Sequence, residues 1–397
     1  MFYRFWILLI LSFPIVFLSG CQSQNIKKVH IIEKNVIKDN VVIHWAGFAF
    51  LGDFSQRTAR YPYTAKIVTS AEKSGQQSVI DSRLLDLVRD FRSEKYSLNI
   101  EQIKKSNSLS MALGIAYEDV YELEVDGKYK VSYEIGLNVV LFDFDEKKII
   151  SVYPMRFLHN ELYKNKPNFL DHERVINNLY AGDEFNILRE SLARMSFINI
   201  RESHGNYIGV RSVRLINDAE NVIPEKFIKG EVIHSQVAQE FEGLLSKNAF
   251  VPVVPYTQGE LVGRNMATRF SDKRKLNLKL PELDYYIDID LRGFGFKQKN
   301  KHNGYTSRIT VKSSTDLTPN TTDLQLSKQL WVLQKASGDI NNKESQWVIY
   351  KDALSRLFDS FTKQLAVSDS NWTKKHSINK DAEAQMQSLR NLIYKSQ

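Results

Sequence analysis

The clearest pattern of apolar and polar positions along the chain lies between residues 128 and 142. Apolar side chains alternate there with polar ones, and this period of two predicts a β-strand with one face toward a core. Residues 111–125 also have strand character, and Asp126-Gly127 between the two stretches is a two-residue turn signal. We therefore predict a long hairpin. The predicted inward positions are Tyr129, Val131, Tyr133, Ile135, Leu137, Val139 and Leu141, and the outward ones are Lys128, Lys130, Ser132, Glu134 and Asn138.

The rest of the first half predicts strands and helices around this hairpin. Aromatic and β-branched residues in "VVIHWAGFAFLG" favour a strand that begins near residue 41. Asp81 or Ser82 is expected to cap a helix with an apolar face. The turn "DFDEKK" leads to the strand "IISVYPMRF", and a polar connection then precedes a helix. The apolar positions are Leu84, Leu85, Val88 and Phe91 in the first helix and Phe185, Leu188, Leu192 and Met195 in the second.

The second half repeats much of this order. "NYIGVRSVRLI" predicts a strand, 231–248 an amphipathic helix, and "AFVPVVPYTQGEL" a short strand and turn. We expect a short helix around Met266 and then three strands. In the first of these, the glycines of "RGFGFK" predict a bulge or a close packing contact. The strands are "YYIDIDLRGFGF", "YTSRITVKSS" and "KQLWVLQKA", and the closing helix carries Leu354, Leu357, Phe358, Phe361 and Leu365.

This order of elements predicts an α+β fold with two similar units of mainly antiparallel sheet and packed helices. We expect a first domain at 41–200 and a second at 206–367, with the boundary near 198–206. The tail, 368–397, has a polar linker and a weak helix, which would either be mobile or dock on a partner.

The N-terminal sequence indicates export. Arg4 precedes an almost wholly apolar run from Phe5 to Leu18, which is short for a membrane-spanning helix and typical of a signal peptide at 1–20. Leu18-Ser19-Gly20-Cys21 then resembles the lipobox of bacterial lipoproteins, and Cys21 is the only cysteine in the chain. An ordinary signal peptide followed by a chance cysteine is the alternative.

The lipobox resemblance implies that Cys21 carries a diacylglyceryl group, that the chain is cut before Cys21, and that the new amino terminus is acylated. Several acyl chains anchor a protein far better than one. In such lipoproteins an aspartate after the cysteine commonly retains the protein at the inner membrane, and Gln22 stands there instead. The resemblance therefore implies an outer-membrane lipid anchor on the periplasmic side, with 21–40 as a tether.

Composition narrows the class of partner. The formal net charge of +8 is spread among interspersed acidic and basic residues, without a concentrated basic stripe. Together with the export signal, this argues against nucleic acid as a partner. A single cysteine also excludes an internal disulfide, so packing must stabilise the fold.

The second unit, 206–367, resembles the periplasmic domain of the curli secretion lipoprotein family and the related anticodon-binding-like module of envelope proteins. The matching features are the helix "SQVAQEFEGLLSKNAFVPVVP", the strands "DYYIDIDLRGF" and "SRITVKSS", and the closing helix. The resemblance covers about two fifths of the chain and implies a ring-forming or scaffold protein of envelope export. It also raises a membrane-inserted hairpin at 111–143, for which a soluble sheet is the alternative.

Motifs for chemistry are weak. The eight histidines have no recognised metal spacing, and neither a nucleophile elbow nor a phosphate-binding loop is present, so we expect no metal and no cofactor. Asp288 and Asp290 lie two apart on a predicted strand and therefore share one face. Such a pair could bind a cation or act in acid–base chemistry, and a simple polar face is the alternative.

One stretch suggests a recognition surface. "ARYPYTAK" places Tyr61 and Tyr63 on either side of Pro62, with basic residues nearby, a composition that is common at protein interfaces. An ordinary loop that packs its rings on the sheet is the alternative.

The sequence therefore favours a non-enzymatic, lipid-anchored protein that acts through envelope proteins in assembly, secretion or surface-appendage biogenesis. A homo-oligomer is one form this could take. The alternative function is a periplasmic enzyme or ligand-binding module that acts on envelope glycan or peptide.

Overall fold

The computed structural model describes most of the chain from residue 41 onward, namely 41–52, 55, 57–100, 109–198, 200, 206–228, 232–256, 265–270, 274–318, 321–339, 341–367 and 369–396. The predicted signal peptide at 1–20, the tether at 21–40 and the lipidation site Cys21 all lie outside the described residues.

The first sheet has seven strands, in the order β2-β1-β3-β4-β5-β8-β7. β7 also pairs with β1, with Phe270 opposite Ala49, so the two sides of this sheet meet in a ring. Pairing is mixed, since β1 runs parallel to β2 and β3 whereas β3, β4 and β5 form antiparallel hairpins. The strands are β1 Val41–Leu51, β2 Tyr96–Asn99, β3 Leu109–Val125, β4 Lys128–Asp143, β5 Lys148–Tyr163, β7 Asn265–Phe270 and β8 Lys275–Lys279.

The second sheet has four strands, in the order β11-β10-β9-β6. β6 runs parallel to β9, and the other pairs are antiparallel. Its strands are β6 Ile208–Leu215, β9 Tyr285–Lys299, β10 His302–Thr315 and β11 Thr322–Leu333.

Helices cover the first sheet on both faces. α2 to α5 share one hydrophobic core with β1, β3, β4 and β5. α8 and α9 contact the opposite face and share a second core with β6, β9, β10 and β11, so they lie between the two sheets. The helices are α1 Arg57–Arg60, α2 Pro62–Lys73, α3 Val79–Arg89, α4 Phe169–Ala181, α5 Ile187–Met195, α6 Asn217–Glu220, α7 Glu225–Ile228, α8 Val232–Ala249, α9 Lys343–Ala366, α10 Ser370–His376 and α11 Ala382–Ser396.

The predicted α+β class is confirmed, with helices and two mixed sheets in one chain. The division into domains at 41–200 and 206–367 stays a prediction. β7 and β8, which follow the expected boundary, pair with β1 and β5 of the first half.

The predicted hairpin is confirmed. Val125 pairs with Lys128, and the two residues between them, Asp126 and Gly127, have φ values of 51° and 68°. Positive φ at both central positions defines a tight turn that an Asp-Gly pair favours. The local sequence therefore fixes the register of β3 against β4.

The main correction concerns the face of β4 that the sequence predicts to meet solvent. Tyr133 and Ile135 are fully buried as predicted, yet Glu134 and Asn138 on the other face are only 3% and 6% exposed. They are buried because α8 and α9 cover that face, an arrangement that no local period reveals. The middle of β4 is thus covered on both faces, whereas Lys128 and Lys130 beside the turn are exposed.

Several smaller expectations also change. The segment around Met266 is strand β7 and not a helix, and the "polar connection" contains α4, whose Asn168 cap and Asp171 form a capping box. Ser78, not Asp81 or Ser82, caps α3. The tail is not loose, since Met386 and Leu389 of α11 are fully buried in the second core.

The bulge expected at "RGFGFK" is confirmed. The β9–β10 register shifts where Gly293 and Leu291 face Arg308 and Ile309. Gly293 has φ of +143°, and a Cβ there would lie 2.9 Å from the Cβ of Asp218. Both the backbone conformation and the close approach require glycine at this position.

Candidate functional site

A cavity of about 400 Å³ opens between β1 and the turn that joins α2 to α3. Apolar side chains from Phe48, Val68 and Leu84, all nearly inaccessible to solvent, contribute part of its wall. Cavities of roughly this size hold small-molecule ligands in many proteins. The other lining residues are Trp45, Ala46, Gly47, Glu72, Gln76, Gln77, Ser78, Asp81 and Leu85.

A bulge in β1 shapes this wall. The register against β3 shifts between Trp45 and Gly47, so Ala46 is an extra residue. Trp45 and Phe48, three apart, therefore belong to the same hydrophobic core. Gly47 has φ of +101°, and a Cβ built there would meet nothing within 4 Å, as expected for a residue beside an open cavity.

The polar side of the cavity comes from the α2–α3 turn. Gly75, with φ of +69°, reverses the chain after α2, and Ser78 begins α3 by accepting a hydrogen bond from the amide of Asp81. Among the described residues, the lining includes two carboxylates, Glu72 and Asp81, but neither lysine nor arginine nor histidine. It is thus an acidic cavity in a chain whose formal net charge is +8.

A second group of polar residues is the ionic cluster between the first sheet and α8 and α9. At its centre the Glu134 carboxylate accepts hydrogen bonds from Arg156 Nε at 2.7 Å, Arg156 Nη2 at 3.1 Å, Lys351 Nζ at 3.1 Å and Tyr117 Oη at 2.9 Å. Arg156 also contacts Glu240 Oε1 at 3.3 Å. The cluster therefore joins β3, β4 and β5 to both helices of the middle layer.

The pKa values of the acids in and beside the ionic cluster shift in opposite directions. Burial alone would raise the pKa of Glu134, but the charges of Lys351 and Arg156 outweigh it and hold that pKa well below its ordinary value. Burial raises the pKa of Glu240, and it raises that of Asp119 to about 6. Because its best-placed acid is ionised and engaged by four donors, the cluster ties layers together and does not offer a free acid to a substrate.

The predicted contact residues Tyr61 and Tyr63 are only 1% and 9% exposed. Tyr61 donates its hydroxyl hydrogen to the Leu51 carbonyl at 2.5 Å, and burial raises its pKa to about 12. The amides of Tyr63 and Thr64 donate to the buried Glu118 carboxylate at 2.8 and 3.0 Å. Both rings pack inward because Glu118 fixes the start of α2 on the sheet, in line with the packing alternative.

The other predicted pair, Asp288 and Asp290, lies on β9 with side chains about one tenth exposed. Asp288 accepts from Arg211 Nε at 3.1 Å and Ser212 Oγ at 2.6 Å. Asp290 accepts from Arg214 Nε at 2.7 Å and lies 3.2 Å from Lys312 Nζ. The carboxylates are thus engaged in cross-strand ion pairs on a polar face that is nearly inaccessible to solvent.

A chain of hydrogen bonds that links α4 to the sheet includes a carboxylate, an imidazole and a phenol. His172 lies 3.2 Å from Glu122 Oε1 and 3.0 Å from the Tyr133 hydroxyl, which lies 2.9 Å from that of Tyr163. A nucleophilic phenol would need a lowered pKa, yet burial raises the pKa of Tyr133 well above its ordinary value. Tyr133 is therefore not an activated nucleophile.

Sequence reasoning missed the cavity and the ionic cluster. Each combines residues from distant segments of the chain. The alternation in β4 predicts that Glu134 lies on a solvent-exposed face. One signal was present in the helix at 231–248, where Glu240 and Glu242 stand among apolar neighbours. Mid-helix acids beside buried positions indicate that a partner for them exists elsewhere.

Within the described ranges, no group of three or more His, Cys, Asp or Glu residues is arranged to hold a metal ion. Of the helices in the described part of the chain, none combines the length and apolar composition that crossing a bilayer would need.

Comparison with known proteins gives no family assignment: no protein-family model matches the chain, and no curated protein matches it either.

Proposed function

We propose that the protein is a lipid-anchored envelope protein that acts through non-covalent contacts, on the periplasmic side of the outer membrane. The motif Leu18-Ser19-Gly20-Cys21 after an apolar run carries this proposal. Its task would lie in envelope assembly, secretion or surface-appendage biogenesis, and its partners would be envelope proteins or a second copy of the chain.

The ion pairs and hydrogen bonds that engage the carboxylates support a non-enzymatic role. Asp288 and Asp290 are held by arginine and lysine side chains, and Glu134 is engaged by four donors. Acid–base catalysis needs a group that can exchange a proton with a substrate within reach. These three carboxylates stabilise the fold instead.

The anchor is tested by mass spectrometry of the mature N-terminus and by membrane fractionation of Cys21→Ser. We expect an acylated Cys21 as first residue in the unaltered protein and release of Cys21→Ser from the membrane fraction. Ser23→Ala, two residues further along, is the matched control and should stay anchored. Full-length chains with residues 1–20 still attached and Cys21 unmodified would overturn the proposal.

Partners are tested by cross-linking in cells followed by purification of the anchored protein. Recovery of the same envelope proteins with the unaltered chain and with Ser23→Ala, and their loss with Cys21→Ser, is the expected result. Recovery of none in repeated experiments would contradict action through envelope contacts.

A second candidate function, ligand binding, is favoured by one observation. The cavity beside Trp45 has an apolar wall, a polar rim and a volume of about 400 Å³, which are properties of small-molecule sites.

A further inference from the structure

We propose that the cavity beside Trp45 binds a small organic cation, with the apolar body of the ligand against Trp45 and its ammonium group at the carboxylate side. This inference rests on the second candidate function, ligand binding, and is independent of the anchor at Cys21.

The charge of the cavity lining favours a cation. Of the residues that the structure describes, Glu72 and Asp81 line the cavity and no basic one does, although basic residues outnumber acidic ones in the chain as a whole. An anionic ligand would be repelled by both carboxylates at short range, whereas a cation would be attracted. The lining therefore selects against anions.

The two carboxylates of the lining differ in the contacts that they make within the fold. Asp81 accepts a hydrogen bond from Ser78 Oγ at 2.5 Å and so has a role in starting α3. In the described part of the chain, by contrast, no hydrogen bond or ion pair engages the Glu72 carboxylate. Glu72 thus supplies a charge that the fold itself does not use.

Trp45 gives the cavity an aromatic wall. Trp45 is half-buried, with part of its surface on the core and part on the cavity. An indole face attracts cations through its quadrupole and also packs against apolar groups. Gln76 and Gln77 add amide groups at the rim, which can donate to or accept from other polar atoms of the ligand.

The size of the cavity limits the ligand. At about 400 Å³ it lies near the lower end of the volumes that small-molecule sites show. A single ring or short chain with one amino group fits this volume better than a polymer. Benzylamine is a suitable probe, because benzyl alcohol has the same shape without the charge.

The test is calorimetric or NMR titration of the protein as purified from cells with benzylamine, benzyl alcohol and glucose. We expect benzylamine to bind with a Kd of about 1 mM or tighter, and at least ~10-fold more tightly than benzyl alcohol. Its affinity should fall when NaCl is raised to about 0.5 M, because salt screens a half-exposed charge.

Two variants locate the site. Glu72→Gln keeps the shape of the side chain and should weaken benzylamine binding about five-fold or more while leaving benzyl alcohol unchanged. Trp45→Phe retains a ring with a weaker quadrupole and should weaken binding about two- to five-fold. Glu184→Gln removes an equal charge from an exposed position outside the cavity lining and should have no effect. Circular dichroism verifies that each variant is folded.

The possible results distinguish a wrong ligand charge from the absence of any ligand site in this cavity. Equal binding of benzylamine and benzyl alcohol, or glucose binding more tightly than both, would overturn the cation and leave ligand binding standing. No binding of any probe would overturn the site itself, and an unchanged benzylamine affinity in Glu72→Gln would overturn the role of this carboxylate.

Discussion

Arg156 donates two hydrogen bonds to the Glu134 carboxylate, from Nε to Oε1 at 2.7 Å and from Nη2 to Oε2 at 3.1 Å. The two residues stand on neighbouring strands, β5 and β4, on the face that α8 and α9 cover. A bidentate contact of this kind is among the stronger polar contacts in proteins. It forms the centre of the ionic cluster between the sheet and the middle helices.

Removing one side of this buried pair should be costly. Arg156→Met leaves Glu134 and Glu240 without their guanidinium partner, and we expect a loss of about 3–5 kcal/mol in the free energy of unfolding. Urea denaturation measures it. Arg356→Met, which breaks an exposed pair with Asp352 on α9, is the control and should cost about 0.5 kcal/mol or less. Similar losses in the two variants would show that the cluster does not tie the layers together.

The buried Glu242 should make stability depend on pH. Its carboxylate accepts from the amides of Val210 and Tyr256, at 3.1 and 3.2 Å, and burial raises its pKa from an ordinary 4.5 to about 8. The folded state therefore holds this proton more tightly than the unfolded state does. The resulting stabilisation is fully present below pH 4.5 and is lost as the pH rises toward 8.

Comparison of the unaltered protein with Glu242→Gln isolates this effect. Between pH 5 and pH 8 we expect the unaltered protein to lose up to about 4 kcal/mol relative to the variant. Chemical denaturation at a series of pH values measures the difference. Parallel curves for the two proteins would mean that Glu242 does not bind a proton preferentially in the folded state.

The C-terminal helix should contribute to global stability. Leu389 is fully buried against the second core, so Leu389→Ala removes apolar contacts and leaves a cavity, at a cost of about 2–5 kcal/mol. Thermal unfolding is the measurement. Lys395→Ala, on the exposed side of α11, is the control and should change stability by less than about 0.5 kcal/mol. A tail that docks only on a partner would show no difference between the two.

Two glycines of β9 should respond in opposite ways. Gly293→Ala forces a side chain into φ of +143° and toward Asp218, with an expected loss of about 1–3 kcal/mol. A Cβ at Gly295 would meet only Thr306 Cβ at an ordinary 3.7 Å, so Gly295→Ala should be neutral or stabilise by about 0.5–1 kcal/mol. Equal effects on the unfolding midpoint would argue against the bulge.

Local sequence predicted those features whose determinants lie next to each other. The Asp126-Gly127 turn fixes its own hairpin, and the alternation of β4 identifies the buried positions Tyr133 and Ile135. The bulge at Gly293 follows from two glycines within one strand. Each depends on backbone preferences or on a period that a few neighbouring residues express.

Features that depend on distant residues could not be predicted. Lys351 reaches Glu134 across 217 residues of sequence, and Glu118 holds the start of α2 from 55 residues away. A strand in which carboxylates alternate with apolar residues can have its polar face exposed to solvent or buried, depending on whether a helix covers that face. The sequence around Tyr61 and Tyr63 predicts a surface site for the same reason, because no neighbouring residue indicates that Glu118 binds the start of α2.

The chain is synthesised with its N-terminus first, so the pairing of β7 with β1 must form late in folding. β1, β3, β4 and β5 can assemble early, but Ala49 must wait for Phe270 before the ring of strands closes. Until then the backbone of β1 has an unsatisfied flank, which is a template for wrong pairing. Such late, non-local closure is slow, so we expect nascent molecules to depend on protection from aggregation until β7 and β8 arrive.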